Sequence, residues 1–434
     1  MLRLLDLRGR SGSTLTEGLP RPAAASQLPY DAVRSILAAV RERGDAALRE
    51  LTERFDGVTL AALRVDPGEI AAAEERVPGE LLEALRAAAA AVRDYHERTV
   101  APAPPYERDG IHVSELRRGV DRAGCYVPGG RARYPSSVLM TAIPAQVAGV
   151  GSVALCVPPG PGGVVDPATL AAASVVGVDE VYPVGGAQAI AAMAYGTETV
   201  RAVDVIAGPG NLYVSLAQRE VAGIVGVPSA FAGPSEVVVI ADDTVDAWAA
   251  AVDVVVQAEH GPAGLAWLVT WSAEVGAAVQ REVAEIVAAS PRREEIAATL
   301  ESGGYVALVD GPAAALELAN AIAPEHLELC CANAAGLLPL VRRAGAVFVG
   351  EHAPASVGDY LAGPSHVLPT SGAARFSSAL GVQDFQTRVH AIELDLTALR
   401  RVAPHVAAIA DAEGLAAHAL SVRGRVDARD EARS

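Results

Sequence analysis

The stretch EVVVIADDTVDAWAAAVDVVVQAEHGPAGLAWLVTW, residues 236–271, decides the fold class. It begins and ends with short runs of β-branched and other apolar residues, and an Ala- and Val-rich segment separates them. A strand, a helix and a second strand in this order are typical of a crossover unit with two parallel strands. The stretch therefore predicts an α/β protein.

The same alternation extends in both directions along the chain. Further buried strands are predicted at residues 152–158, 180–184, 203–208, 305–310 and 346–350. Apolar residues at helical spacing dominate residues 30–98, and the pattern after residue 380 is mainly helical again. The sequence as a whole predicts a mostly parallel sheet with crossover helices.

The composition excludes several classes of enzyme. The chain has 434 residues, a formal charge of −17 and 35 basic residues, all of which are Arg. Without Lys it has neither a P-loop nor a protein-kinase ATP site, and it forms no Schiff base with a substrate or with pyridoxal phosphate. At 51% hydrophobic and 20% charged residues, the chain is expected to fold around a sizeable core.

The sequence also limits the binding partners and the cellular location that we expect for the protein. The negative charge and the aromatic content of 4% disfavour binding to nucleic acid. We recognise no signal peptide and no membrane-spanning segment, and the four Cys residues show no CxxC spacing. We therefore expect a cytoplasmic protein without a nucleic-acid or membrane partner.

Three Gly-rich turns follow predicted strands, at residues 126–130, 184–188 and 207–211. Each turn can present backbone N–H groups to a phosphate at a helix N-terminus, although the dinucleotide fingerprint GxGxxG is absent. A polar side chain opens or follows each turn: Tyr126, Gln188 and Asn211. The alternative is that Gly and Pro here only form the turns between strands and helices.

Two segments contain candidate metal ligands. Gln257 and His260 lie three residues apart, where Gly261 ends a predicted helix, so they share one face of it. Asp359 and His366 lie in a Gly- and Pro-rich stretch without periodicity. The alternatives are helix capping or core packing for the first pair, and a helix cap and a surface His for the second.

The dipeptide Glu325–His326 is the best acid/base candidate. The pKa of His lies nearest to neutrality, and a neighbouring Glu can activate water. The alternative is a structural pair, because Glu–His dipeptides are common. Near the C-terminus, Glu413 and His418 stand five residues apart on a predicted helix, where a solvated helix face is the plainer interpretation.

Together these segments closely resemble the histidinol dehydrogenase family, from about residue 20 to residue 422. Nine dispersed blocks carry the resemblance in the family's order: YVPGGRARYPSSVLM (126–140), VYPVGGAQAIAAMAYGT (181–197), VDVIAGPGN (203–211), AGPSEVVVIAD (232–242), QAEHGP (257–262), APEHLEL (323–329), SVGDYLAGPSHVLPT (356–370), ARFSS (374–378) and EGLAAHA (413–419).

The resemblance implies a role for each candidate. It implies one Zn²⁺ per subunit, with ligands Gln257, His260, Asp359 and, from the partner subunit, His418. It implies the catalytic pair Glu325 and His326. Substrate contacts are implied for Ser235, Gln257, His260, His326, Asp359, His366, Glu413 and His418. Contacts to NAD⁺ are implied for Tyr126, Gln188 and Asn211.

The resemblance also implies two nucleotide-binding-like sheet domains, of the incomplete Rossmann or aldehyde-dehydrogenase-like type. The expected parts are an N-terminal segment (1–20), a discontinuous first domain (21–128 and 234–378), an inserted second domain (129–233) and a helical C-terminal segment (379–434). We expect the last to be exchanged in a homodimer with a shared active site. The implied reaction is the four-electron, NAD-linked oxidation of L-histidinol to L-histidine through enzyme-held L-histidinal, which ends histidine biosynthesis.

The chain departs from the family's commoner residues at Thr141, Gln146 and Ser365, none of which is a predicted ligand or catalytic residue. Two alternatives stay open. One is a paralogous zinc- and NAD-dependent dehydrogenase for another polar alcohol, such as a sulfonated diol. The other is a zinc hydrolase in which Glu325 activates a metal-bound water.

Overall fold

The computed structural model describes residues 2–20, 28–101, 104–129, 133–228, 235–261 and 264–431. Its strands are β1 Arg3–Asp6, β2 Tyr106–Arg108, β3 Ile111–Gly119, β4 Arg122–Tyr126, β5 Ser152–Cys156, β6 Val181–Tyr182, β7 Val205–Ala207, β8 Glu236–Ala241, β9 Leu265–Thr270, β10 Gly304–Leu308, β11 His326–Cys330, β12 Ala346–Val349 and β13 Gln386–Leu394. Its α-helices are α1 Ser13–Thr16, α2 Tyr30–Asp56, α3 Pro67–Ala71, α4 Gly79–Thr99, α5 Pro135–Val147, α6 Pro167–Val175, α7 Gly186–Tyr195, α8 Leu212–Val221, α9 Ala247–Val256, α10 Ala273–Ala289, α11 Arg293–Gly303, α12 Pro312–Ile322, α13 Ala334–Leu337, α14 Ala355–Tyr360, α15 Leu396–Ala412 and α16 Ala416–Glu431.

A parallel six-stranded sheet contains the stretch that decides the fold class. Its strand order is β1-β10-β9-β8-β11-β12, and every neighbouring pair is parallel. The described part of residues 236–271 contains β8, α9 and β9, with β8 and β9 adjacent in the sheet. The predicted α/β class and parallel strands are confirmed.

A second parallel sheet has the order β6-β5-β4-β7, and its strands lie in the sequence between β1 and β8. Helix α2 packs on it through Val33 and Leu48, which share a core with Tyr182. Helix α4 packs through Leu85, in a core that also contains Leu155. The sequence interpretation grouped these helices with the first domain, whereas their apolar faces lie against the four-stranded sheet. The domain limits as a whole stay a prediction.

The chain divides into two compact units. The first comprises residues 1–99 and 120–385 and contains both parallel sheets; the second comprises residues 100–119 and 386–434. In the second unit an antiparallel sheet of order β13-β3-β2 accompanies α15 and α16. The helices after residue 395 agree with the predicted helical pattern, but β13 was missed. Its side chains are mostly exposed on both faces, so its sequence lacks the alternation of a half-buried strand.

Within the described ranges, no helix combines the length and the apolar character that crossing a membrane requires.

Candidate active site

The predicted catalytic and metal-binding residues of the first unit gather at the amino edge of the six-stranded sheet. Ser235 directly precedes β8, where its carbonyl oxygen accepts a hydrogen bond from Leu265 N. A 3₁₀ turn, Gln257–His260, precedes β9, and β11 begins at His326. Ligands of open α/β sheets more often lie at the carboxyl ends of the strands, so strand position alone does not find this site.

The imidazole of His326 lies between two carboxylates. Its Nδ1 is 3.7 Å from Glu325 Oε2, and its Nε2 is 3.5 Å from Asp359 Oδ1. The ring is 3% exposed and stacks on Phe348 with 5.9 Å between the ring centroids. This packing fixes the ring plane, so Nε2 has a defined direction toward Asp359.

The electrostatics of Glu325 and His326 suit proton transfer near neutral pH. Burial lowers the pKa of His326, but the charges of Glu325 and Asp359 raise it by more, so the net shift is upward. Burial raises the pKa of Glu325 to about 7. A carboxyl that titrates near neutral pH beside an imidazole is the kind of pair that general acid–base catalysis uses.

Glu236, at the start of β8, was missed by the sequence interpretation. Its backbone N–H donates to Glu325 Oε2 over 3.0 Å, and its carbonyl oxygen lies 3.4 Å from His326 Nδ1. Its own carboxyl is 1% exposed, and burial raises its pKa to about 8. The available signal was an acidic residue opening an otherwise apolar strand.

Three of the predicted metal ligands lie in this unit. The side chain of Gln257 is buried, and its amide Nε2 has no hydrogen-bond partner among the described residues. Rotation of the amide by half a turn exchanges its nitrogen and oxygen, so the oxygen of Gln257 can occupy this unpartnered position. There it could bind a cation. His260 is exposed and Asp359 is half-buried. The amide oxygen, imidazole and carboxylate make a donor set that suits Zn²⁺.

His366 connects this edge to the four-stranded sheet. Its Nδ1 lies 3.0 Å from the carbonyl oxygen of Asp359, and its Nε2 lies 3.2 Å from Ser137 Oγ. Ser137 belongs to the first turn of α5, which follows β4. Tyr134, just before that helix, lies with its ring centroid 6.5 Å from that of His260. The sequence interpretation assigned no role to Tyr134 or Ser137, although both lie in the quoted block at 126–140.

The three predicted cofactor residues lie at the carboxyl edge of the four-stranded sheet. The hydroxyl of Tyr126 accepts a hydrogen bond from Gly186 N over 3.1 Å, at the start of α7. Gln188 is buried in the same first turn. Asn211 is exposed and caps α8, since its Oδ1 accepts from Val214 N over 3.1 Å.

Backbone packing at this edge requires glycine. Gly208 has φ +123°, and a Cβ there would lie 2.1 Å from the carbonyl oxygen of Tyr126. Glycine here lets the turn after β7 pack directly against the backbone at the end of β4. Two helix N-termini, those of α7 and α8, begin beside it and favour anionic groups.

Glu413 and His418 belong to the second unit, where both side chains are exposed. Among the described residues, a separate group of possible metal-binding atoms consists of Asp253, Glu328 and Cys330, none of which was predicted as a ligand. The zinc-ligand set drawn from the resemblance stays a prediction.

Comparison with known proteins places the chain in a family. The family model described as histidinol dehydrogenase matches residues 19–426. The chain is 48% identical to the histidinol dehydrogenase of Synechococcus sp. over 401 residues, which cover 92% of each chain. It is 47% identical to that of Geobacillus kaustophilus over 397 residues, covering 91% of this chain and 93% of the relative.

The crystal structure of histidinol dehydrogenase from Elizabethkingia anophelis superimposes with a TM-score of 0.94 at 31% identity, covering 99% of each chain. The match extends over both units, including the amino edge of the six-stranded sheet and the carboxyl edge of the four-stranded sheet. The chain therefore belongs to the histidinol dehydrogenase family.

Proposed function

We propose that the protein oxidises L-histidinol to L-histidine in two NAD⁺-linked steps, with L-histidinal held by the enzyme between them. The observation that carries the proposal is His326, buried between the carboxyls of Glu325 and Asp359 in a chain of this family. A buried imidazole with this environment can accept protons repeatedly, which two successive oxidations at one carbon require.

Gln257, His260 and Asp359 would hold a Zn²⁺ ion, together with His418 of a second copy of the chain. The unpartnered amide of Gln257 and the nitrogen and oxygen donor set support this assignment. The ion would orient the imidazole and amine of histidinol. Within the same pocket, Ser235 and His366 would contact the substrate, joined by Glu413 of the second copy.

In the first step His326 accepts the hydroxyl proton of histidinol while a hydride leaves the carbinol carbon for NAD⁺, giving the aldehyde. In the second step Glu325 orients a water molecule and accepts one of its protons as the oxygen adds to the aldehyde carbon. The aldehyde oxygen takes back the proton that His326 holds from the first step, which gives the neutral hydrate and returns His326 to its neutral form. His326 then accepts the hydroxyl proton of the resulting hydrate while a second hydride leaves for a second NAD⁺. Each NAD⁺ gains two electrons, which accounts for the four-electron oxidation to the carboxylic acid.

Tyr126, Gln188 and Asn211 would contact NAD⁺ at the carboxyl edge of the four-stranded sheet. The N-termini of α7 and α8, which begin at this edge, support an anionic ligand there. Ser137 and Tyr134 lie between this edge and His366 and His260, so a cofactor and a substrate at the two places would be neighbours.

The active unit would be a homodimer in which the second unit of one copy completes the site of the other. Large apolar side chains of the second unit are exposed in the single chain: Val389 54%, Ile392 64%, Ile409 61% and Leu420 68%. Association of two copies would bury such a surface. We expect the protein to be located in the cytoplasm.

The test is the amount of NADH formed per L-histidinol by purified, zinc-loaded protein, with histidine quantified at the end. We expect two NADH per histidinol, and loss of turnover on chelation. One NADH with free aldehyde would contradict the proposal, and so would turnover of another alcohol, such as a sulfonated diol, instead of histidinol. Either result would favour the paralogous dehydrogenase. Hydrolytic turnover that needs no NAD⁺ would favour the hydrolase.

A further inference from the structure

A second group of acidic side chains lies in the interior beside the catalytic residues. Asp253, Glu328 and Cys330 have side-chain oxygen and sulfur atoms within 4.8 Å of one another. Their exposures are 8%, 0% and 3%. The proton-transfer steps proposed above use none of the three.

The placement of Glu328 and Asp253 connects the two elements that carry the site. Side chains two residues apart on a strand share a face, so Glu328 lies on the same face of β11 as His326. That face meets α9, because Cys330 shares a core with Val254, whereas Leu327 belongs to the core on the opposite face. Asp253 lies on α9 one helical turn before Gln257.

Asp253 and Glu328 are two acidic side chains buried side by side, so their charge state requires an explanation. Neither carboxyl oxygen of Glu328 makes a close hydrogen bond with a donor among the described residues, and an opposing influence on its pKa is the backbone N–H of Ala355, which lowers it. Burial raises the pKa of Glu328, the carboxyls of Asp253 and Asp359 raise it further, and burial raises the pKa of Asp253 as well. Two adjacent carboxylates without a cation are strongly disfavoured in an interior, but a single proton held between them removes one charge and supplies the missing donor.

We propose that Asp253 and Glu328 share one proton in a carboxylic acid–carboxylate hydrogen bond that joins α9 to β11 and thereby fixes Gln257 relative to His326. Both are positioning residues, which act on the metal and the substrate through their neighbours. The part of this inference that concerns zinc rests on the proposed function.

The test compares two substitutions of Glu328. Glu328→Gln keeps a neutral donor of the same length toward Asp253, so we expect its zinc affinity, measured by competition with a chelator, to stay within about threefold of wild type. Glu328→Leu removes the donor and leaves Asp253 unpaired. We expect its zinc affinity to fall by about 10- to 100-fold, the range typical of residues that orient metal ligands, and the KM for histidinol to rise more than kcat falls.

A double variant guards against a simple folding defect. Asp253→Leu combined with Glu328→Leu leaves no buried carboxyl unpaired, so it should unfold at a temperature at or above that of Glu328→Leu. It should still bind zinc about as weakly as Glu328→Leu, because the link between α9 and β11 is absent. Equal zinc affinity in wild type, Glu328→Leu and the double variant would overturn the positioning role.

A cation in place of the proton is the other outcome to test. In His260→Ala protein, which lacks a ligand of the proposed catalytic zinc, we expect no tightly bound divalent metal. One equivalent of metal that persists there and disappears with Glu328→Gln would show that the cluster binds a cation, against the shared proton. The zinc and unfolding measurements need no histidinol turnover, so they stay informative if the proposed reaction fails.

Discussion

The Nε2 atom of His326 lies 3.5 Å from Oδ1 of Asp359, and the imidazole is almost completely buried. Asp359, one of the predicted metal ligands, thus faces the candidate base directly. Removing the imidazole should therefore slow proton transfer strongly while leaving the predicted metal ligands in place.

His326→Asn is expected to lower kcat by roughly 10²- to 10⁴-fold, the usual contribution of a positioned general base. Steady-state NADH formation from L-histidinol measures the effect, and metal analysis of the purified variant should show wild-type zinc content. His352→Asn, at an exposed position, is the matched control and should keep wild-type kcat. A His326→Asn enzyme with near-normal kcat would remove His326 from the proton-transfer role.

Glu325→Gln should separate the two oxidations. The amide keeps an oxygen that can accept the hydrogen bond now made by Glu236 N, but it accepts no proton from water. We expect NADH per histidinol to fall from two toward one, with aldehyde trapped by a carbonyl reagent. The stoichiometry staying at two, with only a slower rate, would mean that Glu325 is dispensable for water addition.

The sequence predicted the α/β class, because strands of Val and Ile separated by Ala-rich helices leave few alternatives. It did not predict β1 or β13. The first is a four-residue edge strand, and the second has both faces largely exposed, so neither shows the continuous or alternating apolar pattern of an interior strand. Association of α2 and α4 with the four-stranded sheet depends on tertiary packing, which local periodicity does not encode.

For the site, local motif reasoning singled out Glu325–His326 and Gln257–His260, but only the family resemblance joined them into one centre. The structure brings Asp359 and His366 to the same edge. Glu236 escaped notice because its contribution is mainly from its backbone, and no sequence pattern reports a backbone contact. The roles proposed for Glu413 and His418 would need a second copy of the chain, so neither a single sequence nor a single chain tests them.

Substitution can separate the helix cap that Asn211 forms from its proposed contact with NAD⁺. Asn211→Ala removes the cap of α8 and should cost about 1 kcal/mol of folding free energy, whereas Asn211→Asp keeps a capping oxygen. Both changes remove the amide N–H donors, so both should raise the KM for NAD⁺ by about three- to tenfold if that amide donates to the cofactor. Thermal unfolding and NAD⁺ kinetics measure the two effects.

Ser272→Ala is the control for this pair, because Ser272 caps α10 by accepting from Val275 N. It should lower stability without changing the KM for NAD⁺. An Asn211→Asp enzyme with wild-type NAD⁺ kinetics would leave Asn211 as a helix cap only.

Mixing two inactive variants tests whether the site is shared between subunits. Gln257→Ala and His418→Ala proteins should each be inactive, and a mixed dimer should rebuild one intact site from Gln257 of one subunit and His418 of the other. Random mixing makes half of the dimers mixed, with one of two sites intact, so activity should recover to about one quarter of wild type. Mixed dimers verified by mass spectrometry yet without activity would argue for sites within single subunits.

The buried His96 in α4 should make stability depend on pH in a defined window. Neither ring nitrogen has a hydrogen-bond partner among the described residues, and burial lowers the pKa of His96 to about 4. The unfolded chain binds the proton near pH 6.5, so the stabilisation is complete above that pH. It is lost as the pH falls from 6.5 to 4, at a cost of about 3 kcal/mol in total.

His96→Leu removes this ionisation, so its unfolding free energy should fall less than that of wild type between pH 7.5 and 4.5. Denaturant unfolding at the two pH values gives the change in unfolding free energy for each protein. Subtracting one change from the other removes the acid sensitivity that both proteins share. His352→Leu, at an exposed position, should retain the wild-type difference. Parallel losses in wild type and His96→Leu would show that the folded state does not lower the pKa of His96, in conflict with the burial of its ring.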